Sequence, residues 1–340
     1  MKKLLLFSLT IISSFLLSQK FTIDTLLTDK ISIRAIQLWD GKVWYAGTDS
    51  KFGYVDLENV NNKKQIRLSQ KSLQFRTLAQ NNKYFYAINI ESPAYFFQVD
   101  KKTLDSKVVF NDNDPTAFYD ALKFTDNNFG LAFSDPSANQ RLNISQTRNG
   151  GANWINCKNC KDFPYLEKGE AAFAASNTNI ASFRNVIWIA TGGAKSRIYR
   201  MKNKDCNWQV FETPFTQGTS SQGIYSIDFF DKNFGIAVGG DYTKQSDNIN
   251  NIATTNDGGQ TWQIQASGQN AGYMTCVKFR PKTKGKEIVA VGDQHISFSS
   301  DYGKTWTKIS DEKSLYACEW LNKNTLILAG KDKIIKMNFQ

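Results

Sequence analysis

The sequence predicts an all-β protein built from one repeated unit, on three observations. An octapeptide of the form Ser/Thr-x-Asp-x-Gly-x-Thr-Trp stands at 255–262 and 299–306, with a worn copy at 147–154. A short apolar run ending in alanine recurs at Ala46, Ala87, Ala132, Ala190, Ala237, Ala290 and Ala329, at intervals of 39 to 58 residues. Aromatic residues make up 13% of the chain against only 6 prolines, which suits strands stacked face to face. The interval matches one four-stranded blade with loops of varying length, and seven copies predict a seven-bladed β-propeller.

The octapeptide asks for its residue types. A short Asp side chain (Asp257, Asp301) accepts hydrogen bonds from its own turn, and glycine supplies a positive φ. Thr then starts the next strand, and Trp262 or Trp306 anchors the hairpin by burying a large ring. The worn copy keeps Trp154 but has Asn149 for the Asp and Asn153 for the Thr. The pattern resembles the Asp-box, or BNR repeat, of sialidases, sortilin-type receptors and photosystem II assembly factors. That resemblance implies a structural turn at the outer rim of a blade, away from the central channel.

Most alanine-ended runs follow an earlier strand and a polar turn, as in 33–38 before Asp40-Gly41 and 224–230 before 231–233. After Ala329 only one further strand fits, at 334–339. Residues 21–27 alternate like a strand and have no blade of their own, so they are expected to supply the outer strand that closes the last blade. A single propeller domain over 19–340 follows.

Residues 1–18 read as a signal peptide, with Lys2 and Lys3 before an apolar run and cleavage expected between Ser18 and Gln19. The expectation is an exported, periplasmic or envelope-associated protein, monomeric on its own, with no transmembrane segment in the mature chain. The formal net charge of +11 favours anionic partners, but the basic residues are scattered rather than striped with aromatics, which argues against nucleic acid. Cys157 and Cys160 form a CxxC without a βαβ context, so a local disulfide, or one to Cys206, is the plain reading. With one histidine, His295, a zinc site lacks ligands, and neither a metal nor a cofactor is expected. Cys276 and Cys318 read as small buried apolar residues.

Just past the alanines, six of the seven units carry an acid: Asp49, Glu91, Asp135, Asp241, Asp293 and Asp332. Either each caps its own turn or they ring the channel mouth and bind a cation, an amine or a basic loop. The innermost strands should present Arg34, Arg76, Tyr119 or Asp120, Asn177, Tyr225 and Tyr273 to the same mouth. Arg34 and Arg76 could pair with the acids or grip a carboxylate or sulfate.

The segments 127–136, 170–178, 191–197, 211–214, 220–226 and 235–242 resemble a family of exported bacterial propellers (WD40/YVTN/BNR-like), related to photosystem II stability and assembly factors and often labelled "oxidoreductase". No residue supports that label: Val238-Gly239-Gly240 is not followed by a helical pattern, and Lys161 follows Cys160 where haem attachment needs His. The resemblance implies a non-enzymatic module that binds or helps assemble a larger cell-envelope complex, such as an outer-membrane secretion or surface-assembly machine. The alternatives are a sialidase-like hydrolase using Arg34, Arg76 and Arg280 with Tyr273, or a glycan- or cation-binding module.

Overall fold

Each of the seven alanines lies in a β-strand and is at most 1% exposed, because its small side chain sits where neighbouring sheets pack. The computed structural model describes residues 20–136, 138–157 and 163–340. The expected leader and Cys160, and with it the Cys157–Cys160 pairing, lie outside the described residues.

The strands form six antiparallel sheets, which corrects the expected seven blades to six. The reason is strand continuity. Phe21–Trp39 and Thr325–Phe339 are each one unbroken strand, so the units expected at the two ends of the chain share a single six-stranded sheet. Its order is Leu315–Trp320, Thr325–Phe339, Phe21–Trp39, Lys42–Gly47, Lys51–Asp56 and Lys63–Arg67. Within it Phe21 lies opposite Phe339 and Thr25 opposite Ile335, so the two ends of the ring are hydrogen-bonded to each other.

Four sheets have four strands each, and the other six-stranded sheet adds Glu170–Ala171 and Gly192–Gly193 to the inner edge of Gln222–Phe229. Among the described residues no helix is long and apolar enough to cross a membrane. The core lies between sheets. Trp44 and Phe52 pack with Phe85 and Phe97 of the next sheet and with Phe75 before it, and the Trp188 ring stacks on Phe229 at 3.7 Å.

The octapeptide turns explain their own sequence. Asp257 Oδ1 accepts from the Thr261 amide at 2.9 Å and Asp257 Oδ2 from the Thr261 hydroxyl at 2.6 Å. The Gly259 amide (φ 83°) donates to Thr255 Oγ1 at 3.0 Å, and Trp262 Nε1 donates to the Gly259 carbonyl at 3.1 Å. Asp301, Thr305 and Trp306 repeat this set. In the worn copy Asn149 Oδ1 still accepts from the Asn153 amide at 3.0 Å, but the indole Nε1 of buried Trp154 has no hydrogen-bond partner.

Two stability outcomes follow. Asp257→Ala should cost about 1–2 kcal/mol, the worth of a lost cap. Phe339→Ala, which empties the contacts of that ring with Phe21, Phe298 and Trp320, should cost about 3–5 kcal/mol. Urea unfolding followed by tryptophan fluorescence measures both.

Candidate functional site

Bulges aim the site residues. The innermost strands slip register between Ile33 and Ala35, between Ile224 and Ser226, and between Leu315 and Ala317. The extra residues are Arg34, Tyr225 and Tyr316, and all three line one cavity at the channel mouth. A bulge re-aims a side chain in this way without ending the strand. A similar slip brings Asp120 to the channel side between Tyr119 and Ala121.

The floor of the cavity is a strap of chain crossing the channel. Its entry is pinned by Glu170, whose buried carboxylate accepts from Arg197 Nη2 and Thr191 Oγ1 at 2.5 Å each and from Tyr199 at 2.9 Å. Beyond it, the Ala172 amide donates to Asp135 Oδ1 at 3.0 Å and the Ala175 carbonyl accepts from Arg34 Nη1 at 3.1 Å. Ser176 donates to the Thr275 carbonyl at 2.5 Å. Asn177 Nδ2 donates to Leu78 O at 2.9 Å, and Asn177 Oδ1 accepts from the Leu122 amide at 2.8 Å. The strap thus bonds to inner strands all round the ring. It divides the channel into an upper cavity of about 540 Å³ and a lower, polar one of about 170 Å³.

The upper cavity has an aromatic wall and a basic side. Phe173 of the strap stacks on Tyr225 at 3.8 Å, Tyr225 meets Tyr273 edge-on at 4.8 Å, and the Arg34 guanidinium lies 4.0 Å over the Tyr316 ring. Neither Arg34 nor Arg76 makes an ion pair among the described residues, and Arg76 makes no hydrogen bond there either. Burial and the neighbouring Arg34 charge push Arg76 below the usual guanidinium range, against Asp120 and Glu91. Burial also raises Asp135 to about 6, although the Ala172 amide and Asp120 hold it back. Asp120 is pushed far up by burial and by the Asp135 charge. Neither of its oxygens has a well-formed hydrogen bond. Below about pH 6 Asp135 is therefore largely protonated, and Asp120 titrates above the usual carboxylate range.

The expected acid ring does not assemble. Only Asp135 and Asp293 line the cavity. Asp293 Oδ2 accepts from Gln245 at 3.3 Å. Asp241 caps its own turn, where the Thr243 hydroxyl (2.6 Å) and amide (2.9 Å) outweigh burial and hold it low. Asp49 pairs with Arg67 at 3.0 Å, Asp332 accepts from the Ile31 amide at 3.1 Å, and Glu91 is exposed. Tyr119 faces away from the channel, its hydroxyl 3.0 Å from Asp112 and 2.8 Å from Ser145. Arg280 is held by Glu287 at 2.7 Å and by the Lys323 carbonyl at 2.6 Å, so it joins no triad with Arg34 and Arg76. His295 is buried just before the strand Ile296–Ser299, with Nδ1 2.9 Å from Ser297 Oγ.

Tyr316, Phe173 and the strap were missed. Tyr316 had a signal, because Ile33-Arg34-Ala35, Ile224-Tyr225-Ser226 and Leu315-Tyr316-Ala317 share an apolar–x–small frame around the bulged residue. The strap had none, since residues 172–178 show neither a strand nor a helix period.

Geometry and comparisons together define the class: the chain is a β-propeller. No known family profile and no curated protein matches the sequence. Solved structures do match in fold. YCF48 bound to D1 peptide superposes with a TM-score of 0.65 at 12% identity, covering 94% of this chain and 96% of that one. YCF48 from Cyanidioschyzon merolae gives 0.64 at 13% identity, covering 94% and 98%. The RRP9 WD40 repeats give 0.66 at 10% identity, covering 94% and 97%.

His295 yields a pH test. Burial and the Lys308 charge lower its pKa to about 4 against Asp311 and the Tyr273 carbonyl. A depressed histidine stabilises the fold above its unfolded pKa of about 6.5, and that contribution is lost as pH falls toward 4. Between pH 6.5 and 4 the wild type should lose up to roughly 3 kcal/mol more than His295→Gln, measured by urea unfolding at each pH. Asp135 acts oppositely. Its raised pKa costs stability as pH rises through about 6, so Asp135→Asn should gain on the wild type there.

Proposed function

We propose that this chain is a non-enzymatic, exported propeller that docks on a larger cell-envelope protein complex and helps to assemble or gate it. An acidic segment of the partner enters the upper cavity. The observation that carries this reading is the pair Arg34 and Arg76. Two partly buried guanidinium groups that form no ion pair among the described residues cost solvation, and a ligand carboxylate supplies direct bonds. The wall of Phe173, Tyr225, Tyr273 and Tyr316 gives that segment apolar area at small entropic cost. The YCF48 structure that holds a D1 peptide supports a peptide-binding use of this fold. The basic, apolar N-terminal stretch supports export to the periplasm or envelope.

The test is co-purification from native envelopes in mild detergent with the mature protein tagged at its C-terminus. A stoichiometric partner should be retained by the wild type and lost at least tenfold in Arg34→Gln/Arg76→Gln. Asp49→Asn and Asp332→Asn, which lie in a separate crease, should leave it unchanged. Equal recovery by the arginine double variant would remove the mouth from the interface.

A further inference from the structure

On the other side of the strap, the two cysteines of the innermost strands come together. Cys276 begins the strand Cys276–Phe279 and Cys318 lies in the adjacent innermost strand Leu315–Trp320, with their sulfurs 3.7 Å apart. Both are nearly fully buried. Cys157 and Cys206 differ, because the Gln146 side chain stands between them, with Nε2 3.4 Å from one sulfur and 3.5 Å from the other.

The surroundings favour a thiolate on Cys276. Its sulfur accepts from the Cys318 amide at 3.4 Å, from the Cys318 thiol, and from the Thr178 hydroxyl of the strap at 3.8 Å. The Lys278 ammonium, paired with Glu319 at 2.7 Å, stands nearby. Burial alone would push the Cys276 thiol up, but these donors and the lysine charge outweigh it. Cys318 is pushed up by the same contact, so Cys276 is the thiol of the pair that ionises first.

Access is from below. The lower cavity is lined by Thr178, Lys278, Cys318 and Glu319, so it reaches the pair at Cys318, with the Cys276 sulfur 3.7 Å behind it. Its volume of about 170 Å³ admits a water-sized oxidant.

We propose that Cys276 and Cys318 form an oxidation site for a small hydroperoxide, which converts them to a disulfide stapling two neighbouring innermost strands. The Cys276 thiolate attacks one peroxide oxygen. The O–O bond breaks, Cys276 becomes a sulfenic acid, and hydroxide leaves. Hydroxide takes the Cys318 proton and becomes water. The Cys318 thiolate then attacks the Cys276 sulfur, the S–O bond breaks, and the departing hydroxide takes up the proton first released by Cys276. Two thiols are oxidised and one hydrogen peroxide is reduced to two waters. The sulfurs need to close by under about 2 Å to reach bonding distance.

The experiment treats the reduced, full-length mature protein with hydrogen peroxide, then denatures, alkylates and digests it for mass spectrometry. The expected product is a peptide pair joined through Cys276 and Cys318, lighter by two hydrogens and reversed by reductant. The oxidised protein should also melt higher by on the order of 5 °C, and Cys318→Ser should show no such shift. The wild-type peptide map is decisive even if the serine variant fails to fold. Recovery of both cysteines as alkylated thiols, at a dose that has oxidised the half-buried Cys206, would overturn the proposal. So would sulfinic acid on either cysteine without a cross-link, or a cross-link with no rise in melting temperature.

Discussion

A ring of sheets is stable only if its two ends meet, and here the pairing of Phe21–Trp39 with Thr325–Phe339 makes them meet. Each of these strands serves two parts of one sheet, so the closure is built from backbone hydrogen bonds across 300 residues of sequence as well as from side-chain packing. As a result each sheet is held in a wedge between two others. The bulged residues Arg34, Tyr225 and Tyr316 converge on one axis only because the ring fixes their strands around it.

The strap depends on the same closure and gives it a purpose. An open channel would leave the inner-strand carbonyls of Leu78, Leu122 and Thr275 to water, whereas Asn177 and Ser176 bond to them directly. The strap also turns a channel into two cavities of different chemistry. Above it, the arginines form no ion pair among the described residues and the wall is aromatic. Below it, Lys278 is neutralised by Glu319, and two sulfurs face each other. Uncompensated charge favours a ligand, while compensated charge favours internal chemistry.

Much of the fold was legible in the sequence because repeated strands leave repeated residues. The alanines mark positions where only a small side chain fits between sheets, and all seven are buried. The octapeptides state their hydrogen bonds in their composition. The blade count failed because a repeat in sequence does not say where one hydrogen-bonded sheet stops. The turn between expected blades is absent from residues 21–39 and 325–339, and the strands simply run on. Arg34, Arg76, Tyr225 and Tyr273 line the upper cavity, and their place near it followed from reading their strands as innermost. The acids past the alanines were misplaced as a ring because an Asp that caps its own turn and one that faces a channel occupy the same sequence position. Asp241 and Asp135 show the two outcomes. Cys276 and Cys318 lie 42 residues apart in sequence and meet only when adjacent inner strands are set side by side.

The central claim, that the upper cavity is where a partner enters, is tested most directly by site-specific photocrosslinking in native envelopes. A photoreactive residue placed at Phe173, on the strap, reaches only what occupies that cavity. The account predicts one adduct of defined mass from position 173, suppressed by excess acidic peptide from the identified partner. No adduct at 173, with strong adducts from Lys123 on the opposite side of the strap, would contradict it.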